Sequence, residues 1–350
     1  MNRPPHRPEE DVYLMPLPDQ RRNGAARHSR WSEPRKRRRI VTIGAAIIAV
    51  AAIGIGITVF NLSSEPTGPL PVHLPPASES YLGVYTKGLP DSYGPVTAFA
   101  NATGAKPDVV MYYSGWYVPF PTGFAKTIGN YGAVPLVQMD PDGINIAHIA
   151  SGRYDGYLSS YAEAVRAYGH PVIVSFGHEM NGNWSDWGYR HTSPAAFVAA
   201  WQHIVNLFRV LGAHNVTWLW TINIINDSRS GKVDANLRQW WPGSSYVTWV
   251  GIDGYYLKPN WQFAPLFGPT IGKVHTLTSA PILIAETGAV PAAGQPTKIT
   301  DLFAGIRLYG LLGFVWYNST NSIGQPFGIS SPEAIAAFRK GASTYHRPGS

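Results

Sequence analysis

Eight short apolar runs recur along the chain after residue 80, and helical patterns lie between most of them. The runs are Tyr81–Thr86, Val109–Trp116, Val134–Asp140, Val172–Glu179, Val216–Asn223, Val247–Tyr256, Pro281–Gly288 and Gly313–Asn318. Most are continuous rather than alternating, as expected of strands covered on both faces. Between them, Phe197, Trp201, Ile204, Val205, Phe208 and Leu211 share one helical face. Ser193 stands ready to cap that helix, Pro194 fits its first position, and Gly212 stops it. Leu158, Tyr161 and Val165 form a similar face, and Ser331-Pro332-Glu333 opens a last helix. Strands alternating with helices across 81–350 predict an α/β chain folded as a (β/α)8 TIM barrel, whose usual size is about 250 residues. A doubly wound sheet would want a glycine-rich turn after its first strand, and Thr86-Lys87-Gly88-Leu89-Pro90 is not one.

The pattern before residue 80 is of another kind. Residues 40–60, Ile40 to Phe60, carry no charge. Twenty-one residues of helix match the ~30 Å hydrocarbon core of a bilayer. Arg35-Lys36-Arg37-Arg38-Arg39 stands directly before them. Such a cluster stays on the cytoplasmic side. The run is longer than a signal-peptide core of about 7–15 residues, and Asn61-Leu62-Ser63-Ser64 is a poor cleavage site. The expectation is therefore one transmembrane helix preceding the barrel: a basic cytoplasmic tail (1–39), an anchor (40–60), a Pro-rich spacer (61–80) and an extracellular domain (81–350). That places the protein in the cell membrane as a single-pass chain.

Charge bears on possible partners. The net charge of +7 invites a nucleic-acid reading. However, residues 1–39 hold 11 Lys/Arg against 5 Asp/Glu, while the remainder holds 17 against 16. The domain is nearly neutral, so no basic groove for DNA or RNA is expected. The chain has no cysteine, which excludes thiolate chemistry. The 11 histidines show no metal-ligand spacing, and no nucleotide loop appears, so neither metal nor cofactor is expected.

From Tyr81 onward there are only four glutamates. Glu163 falls on the polar side of a helix, and Glu333 in a first helical turn, where an acid suits the dipole. Glu179 and Glu286 end the fourth and seventh apolar runs. In a barrel, both would stand at the C-terminal mouth. Two carboxylates across a cleft can hydrolyse a glycoside, one as acid and the other as nucleophile or base. On these residues alone, a buried pair satisfied by neighbouring polar groups remains an equal alternative.

A longer motif separates the two. His178-Glu179-Met180-Asn181-Gly182-Asn183-Trp184-Ser185-Asp186-Trp187 resembles the acid/base segment of glycoside hydrolase family 26, the β-mannanase family. Gly152-Arg153-Tyr154-Asp155-Gly156-Tyr157-Leu158 resembles its helix entry, Ile252-Asp253-Gly254-Tyr255 its sixth strand end, Ile284-Ala285-Glu286-Thr287-Gly288 its seventh, and Trp316 its eighth-strand tryptophan. The resemblance implies a retaining endo-acting enzyme on a β-linked polysaccharide, foremost β-1,4-mannan. Glu179 would be acid/base and Glu286 nucleophile. His178 and Tyr255 would line the sugar site, Tyr255 bonding Glu286 unless Tyr256 takes its place, and Trp184 and Trp316 would be sugar platforms. Two stretches depart from the family pattern: Ser185-Asp186 between the tryptophans, and Gln138-Met139-Asp140-Pro141 in place of Trp-Glu-Pro. Both bear on the cleft walls, which leaves β-1,3-1,4-glucan, β-1,3-xylan or a non-catalytic binding role as alternatives.

Overall fold

The computed structural model describes residues 80–344. Eight strands, β1 (Tyr81–Thr86), β2 (Val109–Gly115), β3 (Val134–Asp140), β4 (Val172–Phe176), β5 (Val216–Asn223), β6 (Trp249–Asp253), β7 (Ile282–Thr287) and β8 (Gly313–Asn318), pair in chain order. All pairs are parallel, and β1 closes the barrel against β8, from Tyr81 beside Gly313 to Thr86 beside Asn318. Helices α1 (Gly94–Thr103), α2 (Thr122–Asn130), α3 (Ala147–Ala150), α4 (Asp155–Tyr168), α5 (Pro194–Val210), α6 (Phe263–His275) and α7 (Gln295–Leu308) lie in the crossovers, except that from β5 to β6, which holds only short 3-10 turns, and α8 (Pro332–Ser343) follows β8.

The core divides as a barrel requires. Val109, Met111, Leu136, Ile173, Leu219, Trp249, Leu283, Ala285 and Val315 pack together inside the strands. The alternate residues, among them Val110, Val137, Val174, Trp220, Ile284 and Phe314, pack outward with helix residues such as Phe197, Phe208 and Phe338. This two-sided burial explains the continuous apolar runs. Helix α5 begins as expected: Ser193 Oγ accepts from Ala196 N at 3.2 Å, with Pro194 in the first turn. Beyond it Gly212 takes φ +77°, a left-handed turn that glycine adopts freely.

Two strands, β4 and β6, differ from the expectation by more than one residue at an end. The fourth strand stops at Phe176 instead of reaching Glu179, because Gly177 turns to φ +56°. The sixth is trimmed to Trp249–Asp253. The expected transmembrane helix at 40–60, with the tail and spacer around it, lies outside the described residues. Among the described residues no helix is long and apolar enough to cross a membrane.

Candidate active site

Glu286 owes its position to an irregularity in β7. Ile252 of β6 is level with Ile284, but the next residue, Asp253, is level with Glu286, so β7 carries one extra residue. Seen from β8, the same slip falls between Ile284 and Thr287. In a regular strand, side chains alternate, and Glu286 would follow the inward Ala285 by pointing out toward the helices. The bulge re-aims it into the barrel. There Tyr113 of β2 donates to Oε1 at 2.5 Å, and Tyr255, just past β6, donates to Oε2 at 2.7 Å.

Glu179 sits three residues past β4, in a turn with φ +55°. A left-handed backbone costs a non-glycine residue roughly 1–2 kcal/mol, so the surroundings must hold it. Asn181 and Asn223 provide one restraint. Asn181 Nδ2 donates to Asn223 O at 2.9 Å, and Asn223 N donates to Asn181 Oδ1 at 2.8 Å, tying the turn to the end of β5. The carboxyl itself accepts from Asn223 Nδ2 at 2.6 Å and Trp184 Nε1 at 2.8 Å. A Cβ on Gly182 would collide with the Trp184 ring, so glycine is what lets the indole reach the acid. Trp187 is buried, and its N–H donates to His178 O at 2.8 Å, which makes it part of the support.

His178 brings a positive charge to the two glutamates. His178 Nδ1 is 2.7 Å from Asp140 Oδ1, both groups fully enclosed. Burial works against a charged imidazole. The Asp140 carboxylate, with Glu286 and Glu179 beyond it, outweighs that and lifts His178 to about 10. Glu179 is itself raised to about 7, chiefly by burial; the His178 charge opposes this, the Glu286 charge adds to it, and the bonds from Asn223 and Trp184 pull it back. Glu286 is also raised by burial, against the His178 charge and the two phenol bonds. Both phenols are held well above their ordinary range, first by burial and then by the Glu286 charge, so they remain donors. Asp253 is held well above the usual carboxylate range by burial and by the charges of Glu286 and Glu179. The two glutamates thus occupy one enclosed mouth with different equipment, one inclined to keep a proton and the other wrapped in groups that favour its charge. Among the described residues no group of side chains is arranged to hold a metal ion.

Of the residues singled out from the sequence, Glu179, Glu286, His178, Trp184 and Tyr255 come together here. Tyr256 does not: its ring packs outward, 6.1 Å from Phe267 of α6. Trp316 corrects an expectation. It is 0% exposed, its indole N–H donates to Phe327 O at 3.1 Å, and its ring lies 6.0 Å from Phe338 of α8. Strand alternation turns it away from the mouth, so no sugar can stack on it. Its neighbour Tyr317 faces inward, 4.7 Å from Tyr85 and 5.9 Å from Tyr255. Tyr113, Asp140, Asn223 and Asp253 were not singled out as site residues. Their signal was their place at or near strand ends.

Residues 149–280, which include Glu179 and Tyr255, match the model of glycosyl hydrolase family 26. Endoglucanase H of Acetivibrio thermocellus is 28% identical over 283 residues, covering 74% of this chain and 31% of that protein. Beta-1,3-xylanase TXYA of a Vibrio species is 24% identical over 121 residues, covering 33% of this chain and 24% of its own. The chain thus spans about a third or less of the curated relatives it matches. Among solved structures, a family 26 β-mannanase from Bacteroides ovatus is 16% identical, with a TM-score of 0.57 over 76% of this chain and 88% of that one. A modular endo-β-1,4-mannanase from Cellulomonas fimi is 15% identical, with a TM-score of 0.60 over 76% and 71%. At such identity the likeness speaks for the barrel. The barrel of this chain differs from a regular one by the bulge under Glu286 and the turn under Glu179.

Proposed function

We propose that the domain is a retaining, endo-acting β-glycoside hydrolase that cleaves a β-linked polysaccharide. The observation that carries this reading is the unequal pair of buried glutamates. Glu286, ionised and steadied by Tyr113 and Tyr255, attacks the anomeric carbon and expels the leaving sugar. Glu179, holding a proton near neutrality, gives it to the departing oxygen. It then takes a proton from the water that hydrolyses the glycosyl-enzyme ester. His178 supplies a fixed positive charge that lets two carboxylates share the mouth.

β-1,4-Mannan is the substrate this reading favours. Support comes from the solved β-mannanases of like fold and from a mannan endo-1,4-β-mannosidase of Caldalkalibacillus mannanilyticus, 27% identical over 90 residues. A second reading, a β-1,3-1,4-glucanase or β-1,3-xylanase, is favoured by the Endoglucanase H and xylanase matches and by Met139-Asp140 where the family has Trp-Glu. The uncharged run at 40–60 behind five basic residues supports a tethered enzyme, its tail in the cytoplasm and its domain outside. Retention of the full chain in carbonate-washed membranes tests the tether. For the chemistry, the test is a 2-fluoro glycoside inactivator of each sugar class followed by peptide mapping. The label is expected on Glu286; a label elsewhere, with Glu286→Ala still active, removes the assignment.

A further inference from the structure

The loop leaving β2 holds an aromatic residue in an unusual state. Tyr117 has φ +67°, a conformation that is a genuine outlier for a bulky side chain, yet it is 61% exposed. Burial of the ring therefore does not offset the strain. Neighbouring groups hold the loop instead. Val118 N donates to Gly115 O at 3.2 Å, and Tyr157 Oη at the start of α4 donates to Val118 O at 3.1 Å. Tyr154 and Tyr157 meet the Tyr117 ring in edge-to-face contacts at 6.1 and 5.5 Å, and Trp116 lies behind at 6.4 Å. A flat aromatic surface is thus fixed in orientation by three other rings and left open to solvent.

Its place in the fold gives this surface a use. Gly115 is the last residue of β2, so the loop stands on the C-terminal rim of the barrel, the face that bears Glu179 and Glu286. Tyr113, four residues earlier, donates to Glu286. Four residues span at most about 14 Å, which puts Tyr117 within a few sugar rings of the bond to be cut. Pyranose rings of β-linked chains present axial C–H groups on flat faces that lie well against aromatic rings, while their hydroxyls stay wet at the edge. An exposed, rigid tyrosine suits that ligand, having an apolar face and a polar tip.

We propose that Tyr117 is a platform for a sugar unit of the polysaccharide remote from the cleavage point, so that this chain gains affinity with substrate length. The inference rests on the glycosidase reading and deepens it. It assigns Tyr117 a binding role and no part in the bond-breaking step.

Tyr117→Gly is the informative variant, because glycine adopts φ +67° without strain and so keeps the loop's backbone. Tyr117→Trp keeps the aromatic face. Hexasaccharides of β-1,4-mannan, β-1,3-1,4-glucan and β-1,3-xylan, with the matching aryl disaccharides, serve as probes for the full chain in detergent. In Tyr117→Gly, the ratio of kcat/KM on the cleaved hexasaccharide to that on its aryl disaccharide is expected to fall about tenfold, or about 1.4 kcal/mol, through KM. Tyr117→Trp is expected to restore it. Calorimetric binding of the hexasaccharides to Glu286→Gln, with and without Tyr117→Gly, is expected to weaken in parallel. An unchanged ratio, or both substrates falling equally, overturns the platform while leaving the glycosidase reading intact. If the parent chain neither binds nor cleaves any of the probes, both readings fall together.

Discussion

Asn223, the last residue of β5, donates to Oε1 of Glu179 at 2.6 Å, while Trp184 donates to Oε2 at 2.8 Å. Both oxygens of the proposed acid therefore face donors, an arrangement that favours the ionised form, and burial still lifts the group to about 7. The alkaline limb of kcat/KM is expected near that pH, where the proton needed by the leaving group is lost. Asn223→Leu removes a bond to the charged form and moves the limb upward by about one pH unit, given about 1.5–3 kcal/mol for such a bond, part of it offset by relaxation. A pH–rate profile of the two proteins decides this. A limb that moves downward contradicts the described role of Asn223.

The raised Glu179 also predicts how stability depends on pH. Its folded-state value of about 7 lies above the ordinary 4.5, so the folded protein binds the extra proton. The stability this contributes is complete below about 4.5 and is lost as pH rises through 7. Glu179→Gln removes the ionisation. The variant is expected to equal the parent near pH 4.5 and to exceed it by ~2 kcal/mol at pH 8. Part of the gain is forfeited because one amide oxygen must serve two donors. His178, raised from 6.5 to about 10 in part by the Glu179 charge, loses that contribution in the variant, which trims the gap further above pH 6.5. Scanning calorimetry at several pH values measures it, and a constant gap across pH 4.5–8 refutes the linkage.

Tyr113 and Tyr255 hold opposite oxygens of Glu286. Each bond lowers the pKa of a carboxylate that burial raises. Tyr113→Phe or Tyr255→Phe should push the acidic limb of kcat/KM to higher pH and reduce its plateau by about 10²-fold, in the range for loss of one aligned donor. The double variant should lose less than the product of the two, since both act on one group. Steady-state kinetics of the three variants suffice. Fully multiplicative losses would mean that the two phenols do not share a target.

Four strands, β1, β3, β5 and β8, run between the same residues in sequence and structure, because strands buried on both faces leave an unbroken apolar signature. The carboxylates were legible because glutamates are scarce in the domain and two of them close apolar runs of the sequence. The bulge in β7 was not legible: one extra residue in a ladder leaves no mark in Ile-Leu-Ile-Ala-Glu-Thr. Tyr113 was concealed beside Tyr112 in Val-Val-Met-Tyr-Tyr, where only the strand's phase tells which ring points inward. Phase also explains Trp316, for Phe314 and Trp316 share the outward face with the helices, while Val315 and Tyr317 line the interior.

The division of labour between the glutamates has its own signature. In the proposed reaction Glu179 serves twice, protonating the leaving oxygen in the first step and deprotonating water in the second. An aryl oxide with an electron-poor ring departs without a proton. Glu179→Ala should therefore keep the first step on an activated aryl glycoside and become slow in the second. The trace is a burst of aryl release close to one equivalent, then a low steady rate. Azide is a nucleophile that needs no base and fits the space the carboxyl leaves. It should raise the steady rate by at least tenfold and yield a glycosyl azide that retains the β configuration, since two inversions at one carbon restore the starting geometry. Glu286→Ala forms no ester, so it should show no burst, and azide entering from the nucleophile's side should give the α product. The positions of the groups support this assignment over its reverse: Tyr113 and Tyr255 hold Glu286 where attack needs a fixed, ionised oxygen, and Trp184 and Asn223 surround a Glu179 that burial keeps protonated near neutrality. Should Glu179→Ala lose equal activity on activated and unactivated glycosides, with no response to azide, the acid/base role must pass to another residue.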